Sequence, residues 1–357
     1  MDPIPEHTQS PRIGVLIVNL GTPSAPTVPA IRRYLREFLS DPRVVELPRV
    51  LWWPILNAFV LPLRPRKLAH SYAAVWTDRG SPLLAISRDQ HRCLQEELGD
   101  DAVVALAMRY GEPSIADALA QLQAQGMQRL LVLPLYPQYS ATTTASVFDA
   151  VFELFRHTRW LPELRTINSY HDDPGYIAAL AESVRRHWDA HGRGDRLLMS
   201  FHSIPQRYFE AGDPYYCFCQ KTARLLAGAL EIADDRWSVS FQSRVGRAKW
   251  LSPYTDAHIV ELARRGVRRL DVVCPGFSAD CLETLEEVAL RYGADFRKAG
   301  GEALRYIPAL NADGPHINAL ATLIRRHLAG WPTAPESSDA PAQRQQRAAL
   351  LLPTLSP

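Results

Sequence analysis

Residues 126–146, GMQRLLVLPLYPQYSATTTAS, align without a gap to residues 266–286, GVRRLDVVCPGFSADCLETLE. Each block opens on glycine after an amphipathic stretch and places arginine three residues later. An apolar run, a loop containing proline and a new helix follow. The segment GVLIVNLGTP at 14–23 matches LLMSFHSIP at 197–205 more loosely, with Pro23 opposite Pro205. A chain that repeats strand, loop and helix in this way is two copies of one α/β unit. Short apolar runs at 14–18, 103–107, 130–133, 197–199, 237–241 and 270–273 read as buried strands. Between them, 114–125, 176–191 and 255–265 carry apolar residues at helical spacing. Strands alternating with helices predict crossover units on parallel sheets covered on both faces. The expected division is one lobe over 10–165 and a second over 166–330, each with a parallel sheet of four or more strands. The segment 331–357, rich in Pro, Ala, Gln and Ser, reads as a disordered tail with a brief helix near 343–351.

The 357 residues fit two domains at about 150 residues each, and 46% hydrophobic content supplies their cores. Lys plus Arg is 40 against 38 for Asp plus Glu. That balance removes the electrostatic case for a nucleic-acid partner. Five cysteines at irregular spacing argue against a disulfide scaffold and for a reducing compartment. The start, MDPIPEHTQSPR, lacks the features of a secretory signal. The apolar stretch 50–63, VLWWPILNAFVLPL, is too short to span a bilayer. A cytoplasmic protein is the expectation.

In open α/β sheets ligands bind beyond the carboxyl ends of the strands, and the notable polar residues fall there. His202 closes the strand in SFHSIP, where an imidazole meets a cleft with its protonation poised near neutrality; a capped core histidine is the plainer alternative. Asp280 and Glu283 have the spacing of a capping box. Glu287 lies one turn beyond Glu283, so both carboxylates share a helix face. Turned into the cleft they suit metal binding or proton transfer; turned outward they are solvated charges. Glycine-rich nucleotide fingerprints, the phosphate loop and the serine nucleophile elbow are all absent. A metal or an unphosphorylated ligand is what such a cleft would take.

Six ordered blocks then carry a resemblance: VNLGTP at 18–23, RYGEP at 109–113, LPLYPQYSATTTAS at 133–146, SFHSIP at 200–205, FQSRVGRAKWLSP at 241–253 and CPGFSADCLETLEE at 274–287. Together, over about residues 10–330, they resemble ferrochelatase, the enzyme that inserts ferrous iron into a porphyrin at the end of haem synthesis. The resemblance implies two Rossmann-like, chelatase-type lobes with the active-site cleft between them. It makes His202 the essential histidine and Glu283 the glutamate facing it across the macrocycle, these two also meeting the metal. Glu287 continues an acidic path behind Glu283. Arg109, Tyr110, Trp250 and Leu20 fall to substrate binding. Two departures stand out: many relatives have histidine where this chain has Cys281, and some have methionine in place of Leu20.

The expected reaction is insertion of Fe2+ into a porphyrin, protoporphyrin IX first, with release of two protons and no cofactor. Some family members hold a [2Fe–2S] cluster through four cysteines. Here Cys217 and Cys219 lie in a different segment from Cys274 and Cys281, which argues against one. A non-catalytic tetrapyrrole carrier and a cobalt chelatase of the same fold are the competing readings. The segment 47–63, followed by Arg64, Arg66 and Lys67, reads either as a core helix broken at Pro54 or as an apolar lip with transient peripheral membrane contact.

Overall fold

A computed structural model describes residues 10–246, 248–332 and 339–351. The apolar run of the first repeat forms β1 (Arg12–Gly21), followed by β2 (Val103–Tyr110), β3 (Met127–Pro134) and β4 (Glu163–Thr166), in the order β2-β1-β3-β4. The second sheet holds β5 (Arg196–His202), β6 (Trp237–Gln242), β7 (Arg269–Val273) and β8 (Ala303–Ile307), in the order β6-β5-β7-β8. Every pairing is parallel. The two orders are the same, as a duplicated unit requires. β4 and β8 were not among the expected strands. Both are edge strands, so ELRT and ALRYI are half-exposed and lack the apolar run that marks a central strand.

The helices Pro174–His191, Tyr215–Ala229 and Gly314–Leu328 lie between the sheets. There Ile17 and Leu133 of one sheet and Met199 and Phe201 of the other contribute to one continuous core. Smaller cores cover the outer faces, around Leu16 and Val132 on one side and Leu198 and Val272 on the other. The lobes are also tied by polar contacts: Gln138 donates to Thr222 at 3.0 Å, and Arg165 donates to the His327 carbonyl at 2.6 Å. Trp331, placed by the sequence in the tail, is buried instead. Its indole donates to Glu163 at 2.6 Å and Arg165 stacks on its ring. A helix covers Ala340–Leu351; residues 333–338 and 352–357 lie outside the described residues.

The segment that reads either as a core helix broken at Pro54 or as an apolar lip runs on through the proline. A helix Arg49–Ile55 passes through Pro54 into a π-helical turn Leu56–Val60, and then into a helix Leu61–Val75. The wide turn directly follows the proline, where the regular hydrogen-bond ladder is interrupted. Leu56 and Leu61 face a fourth core with Ile31 and Leu35 of the helix Val28–Ser40, while Val50, Leu51, Trp53, Phe59 and Leu63 face out. Among the described residues no helix is long and apolar enough to cross a membrane.

Candidate active site

His202 is the last residue of β5, at its carboxyl end and only partly covered. Its Nδ1 lies 2.6 Å from the Ser203 carbonyl oxygen. A carbonyl only accepts, so Nδ1 carries the proton. In the neutral ring Nε2 then keeps a lone pair. The chain after His202 is zipped to the loop that carries Trp250. Pro205 bridges Trp250, Leu251 donates to the Ile204 carbonyl at 3.0 Å, and Ser203 Oγ donates to the Leu251 carbonyl at 3.1 Å. Trp250 is thereby held beside the His202 strand end, its indole donating to the Val245 carbonyl at 2.9 Å.

The register partner of His202 is Gln242, at the end of β6. This buried side chain donates through Nε2 to the Glu283 carbonyl oxygen at 2.9 Å, and its Oε1 accepts from Ser200 at 2.6 Å. Gln242 therefore fixes the backbone of Glu283 one side chain away from the histidine strand. The glutamine stands in the block at 241–253, and the role became visible only once strand register was known.

Asp280 and Glu283 do not form the capping box their spacing suggests. The Asp280 amide donates to Asn311 Oδ1 at 2.8 Å. Its carboxylate accepts from Thr284 at 2.9 Å, Tyr306 at 2.6 Å and Asn311 Nδ2 at 2.8 Å. Three side chains thus consume what would have capped the helix. The element that follows is a π-helix, Glu283–Tyr292, so wide turns rather than α-turns set the Glu283–Glu287 offset. The first repeat carries the same feature at Ala141–Ala145.

Glu283 is half-covered, and its charge is felt by Tyr34, Arg64 and Tyr72 of the neighbouring lobe. Burial pushes the hydroxyls of Tyr34 and Tyr72 well above the ordinary tyrosine range. The Cys281 thiol lies against the Glu283 carboxylate; burial first, and that negative charge second, keep it protonated. Glu287 is buried and fully engaged. It accepts from the Ser243 amide at 3.1 Å, Ser243 Oγ at 2.6 Å and Tyr292 OH at 2.5 Å, with Arg291 at 3.3 Å.

On the first lobe, Leu20 packs against the same core as Leu282, the residue before Glu283. Arg109 and Tyr110 end β2 but converge on Asp41. Arg109 donates to Asp41 at 2.6 Å and to Ser146 Oγ at 2.8 Å, and Tyr110 OH donates to the same Asp41 oxygen at 2.8 Å. Tyr110 is 1% exposed, and burial raises its hydroxyl far above the ordinary value. The polar groups of this pair are thus turned to Asp41 and Ser146 within the first lobe. Asp41, its hub, was missed because a lone aspartate after a helix carries no sequence signal.

Among the described residues no group of three or more His, Cys, Asp or Glu is arranged to hold a metal. Cys219 is buried in the core between the sheets, Cys274 sits in the outer core of the second sheet, and Cys281 lies beside Leu83. Cys217 is exposed.

Comparison with known proteins follows the same lines. A family profile described as Ferrochelatase matches residues 12–328. The ferrochelatase of Teredinibacter turnerae is 55% identical over 346 residues, 96% of this chain and 94% of that protein. That of Nitrosococcus oceani is 53% identical over 354 residues, covering 97% and 96%. Among solved structures, SirB from Bacillus subtilis with Fe3+ superposes with a TM-score of 0.54 at 13% identity, covering 89% of this chain and 96% of that one. The sirohydrochlorin chelatase SirB from Bacillus subtilis subspecies spizizenii, in complex with cobalt, gives 0.52 at 12%, covering 88% and 94%. At such identity these two likenesses concern the fold.

Proposed function

Because this chain belongs to the ferrochelatase family, we propose that His202 and Glu283 work as a pair on a porphyrin held between the two lobes, His202 taking pyrrole protons and Glu283 meeting the iron. The reaction is that of a metal-chelating lyase: ferrous iron enters the porphyrin, two protons leave, and haem forms. Relatives more than half identical over nearly the whole chain favour neither the carrier nor the cobalt reading.

The observation that carries the pairing is the committed Nδ1 proton of His202. It leaves Nε2 as the acceptor of a pyrrole proton. Each of the two N–H bonds that break delivers its electron pair to the ring, which then binds the dication. Bending the macrocycle so that its nitrogens point outward costs about 1–5 kcal/mol, supplied by contacts remote from the metal. Leu20 and Trp250 are the apolar walls proposed to supply it, with Arg109 and Tyr110 shaping the pocket. Glu283 offers a hard oxygen donor, and Glu283 with Glu287 relays protons away from the ring or holds the iron while it sheds water before insertion. Imidazole with carboxylate suits ferrous iron. Glu287, already bonded to Ser243 and Tyr292, would act through its charge and not by swinging.

The same reading extends to protoporphyrin IX as the porphyrin, to lobes over 10–165 and 166–330, and to action in the cytoplasm without a nucleic-acid partner. It needs no iron–sulfur cluster. The dispersal of its cysteines supports this, with Cys219 in the core between the sheets, Cys274 in the outer core of the second sheet and Cys281 beside Leu83. The exposed apolar row Val50, Leu51, Trp53, Phe59 and Leu63, flanked by exposed Arg66 and Lys67, supports transient contact with an anionic membrane surface.

The test is insertion of ferrous or zinc ion into a porphyrin by the purified chain, followed optically. His202→Ala should cut turnover by at least about 100-fold while porphyrin affinity stays within a few-fold. A variant keeping more than about a tenth of wild-type turnover removes His202 from proton transfer.

A further inference from the structure

We infer that the Arg291 guanidinium keeps divalent metal off Glu287, so that ferrous iron is held at Glu283 and is not passed along the two carboxylates. The inference rests on the reading that iron meets Glu283, and it makes Arg291 a positioning residue that acts through Glu287. Arg291 lies near the end of the π-helix Glu283–Tyr292. In a helix bonded from i to i+5, positions four and five residues apart fall on one face. Arg291 accordingly straddles two carboxylates, its Nη2 lying 3.3 Å from Glu287 and 3.8 Å from Glu286. Among the described residues these are the only ion pairs that either glutamate makes.

The Glu287 carboxylate has little left to offer a metal. Its Oε1 accepts from the Ser243 amide and from Tyr292 OH and faces Arg291, while its Oε2 accepts from Ser243 Oγ. Burial first, and the charge of Glu287 second, push the Tyr292 hydroxyl far above its ordinary range, so it stays a donor. The guanidinium lies over the Tyr292 ring, 5.3 Å from its centroid. The Arg291 side chain is 51% exposed and that of Glu287 10%, so the cation stands on the solvent side of the carboxylate. Arg244, the other cation near Tyr292, is spent on Asp256 at 2.8 Å. A guanidinium does not give up its proton, which makes Arg291 a fixed positive charge. A dication settling on Glu287 would touch that charge, and like charges in contact repel strongly even near a protein surface. Glu283 makes no ion pair among the described residues, Arg64 lying beyond that reach, and keeps its carboxylate for the metal.

The experiment measures binding of Mn2+ alone, without porphyrin, from the electron paramagnetic resonance of the free ion. It compares wild type, Arg291→Gln, Arg291→Lys and the double variant Arg291→Gln with Glu287→Gln. At low salt Arg291→Gln should bind Mn2+ at least about 10-fold more tightly than wild type, the effect of removing one adjacent positive charge near a surface. The gain should shrink as salt is added, because a half-exposed charge is screened. It should be absent in Arg291→Lys, which keeps the charge, and lost in the double variant. In zinc insertion, excess zinc should inhibit Arg291→Gln at a concentration at least about 10-fold below that for wild type, as a second dication parks beside Glu283. Arg291→Gln and Arg291→Lys should melt near wild type, since an exposed ion pair adds little stability. Equal Mn2+ affinity in wild type and Arg291→Gln overturns the inference. So does a gain that survives loss of the Glu287 carboxylate, or one equally large in Arg291→Lys. Wild-type protein that inserts no metal into a porphyrin would instead refute the proposed function, a result the Mn2+ comparison does not share.

Discussion

His316 makes the acid limit of this fold calculable. It is the third residue of the helix Gly314–Leu328 and wholly buried; its Nδ1 donates to the Asn311 carbonyl at 2.7 Å, and Nε2 has no partner. Burial pushes its pKa from about 6.5 down to about 4, and the positive end of the helix opposes a second proton on the ring. The folded pKa is the depressed one. On acidification the unfolded chain therefore takes the proton first, and the stability linked to His316 is full above about pH 6.5 and lost as pH falls toward 4. At about 1.4 kcal/mol per pH unit, the drop from pH 7 to 4.5 is about 2–3 kcal/mol. Acid also protonates carboxylates, so the quantity to measure is the difference between wild type and His316→Asn. Asparagine leaves a donor near Asn311, cannot titrate, and lowers stability by a pH-independent amount. Urea unfolding at pH 7, 5.5 and 4.5 should show the wild-type advantage shrinking by about 2–3 kcal/mol. A difference constant across that range would show that His316 does not titrate as a buried neutral ring. The effect also bears on the site. The Asn311 carbonyl that holds His316 accepts from Gln90 Nε2 at 3.0 Å, and the Asn311 side chain pins Asp280, at the start of the segment bearing Glu283.

Glu283→Gln should melt near wild type, because no capping bond is lost, while turnover drops by at least about 100-fold. Glu287→Gln should be milder in turnover yet cost about 1–3 kcal/mol of stability, since an amide oxygen cannot satisfy Ser243 and Tyr292 as two carboxylate oxygens do; normal turnover in both variants would refute the acidic path. Purified protein should show no iron–sulfur absorption, and Cys217→Ser should be silent. Cys219→Ser should lose about 1–3 kcal/mol from burying a hydroxyl; iron and sulfide at about two each per chain would overturn the cluster-free reading. Trp53→Ser should weaken binding to anionic vesicles at unchanged melting temperature, whereas Trp52→Ser should destabilise the fold, since its indole donates to the Leu39 carbonyl at 2.7 Å. Vesicle binding unaffected by Trp53→Ser would place membrane contact elsewhere or nowhere.

The architecture was legible because its signal is strong and local. Central parallel strands are buried on both faces and appear as apolar runs such as GVLIV, and the repeat aligns β3 with β7 directly. What stayed hidden depends on a choice between chemically equivalent partners. Asp280 and Glu283 have capping-box spacing, yet Asn311, thirty-one positions away, takes the amide that Glu283 would have accepted from. Nothing in a window of ten residues signals that competitor. Trp52 and Trp53 are adjacent and alike in sequence, but helical rotation sends one to a backbone carbonyl and leaves the other 52% exposed.

The candidate site shows the same division. Residue types at strand ends drew attention to His202 as a candidate, and α-helical spacing suggested a shared face for Glu283 and Glu287, which the structure instead places on a π-helix. The groups that orient them are Gln242, Ser243 and Tyr292, which become visible only when β5 and β6 are placed in register and the π-helix is known. Gln242 and Tyr292 reach the candidate residues through one hydrogen bond each and Ser243 through two, from up to 44 positions away. Their contribution should therefore appear in precision of placement: Gln242→Met, which keeps the bulk but deletes the bond to the Glu283 carbonyl, should lower kcat with little change in porphyrin affinity. A misplacement of about 1 Å at a reacting group can cost about 100-fold in rate. Unaltered kcat in a folded Gln242→Met variant would mean that the Asp280 network alone suffices to aim Glu283.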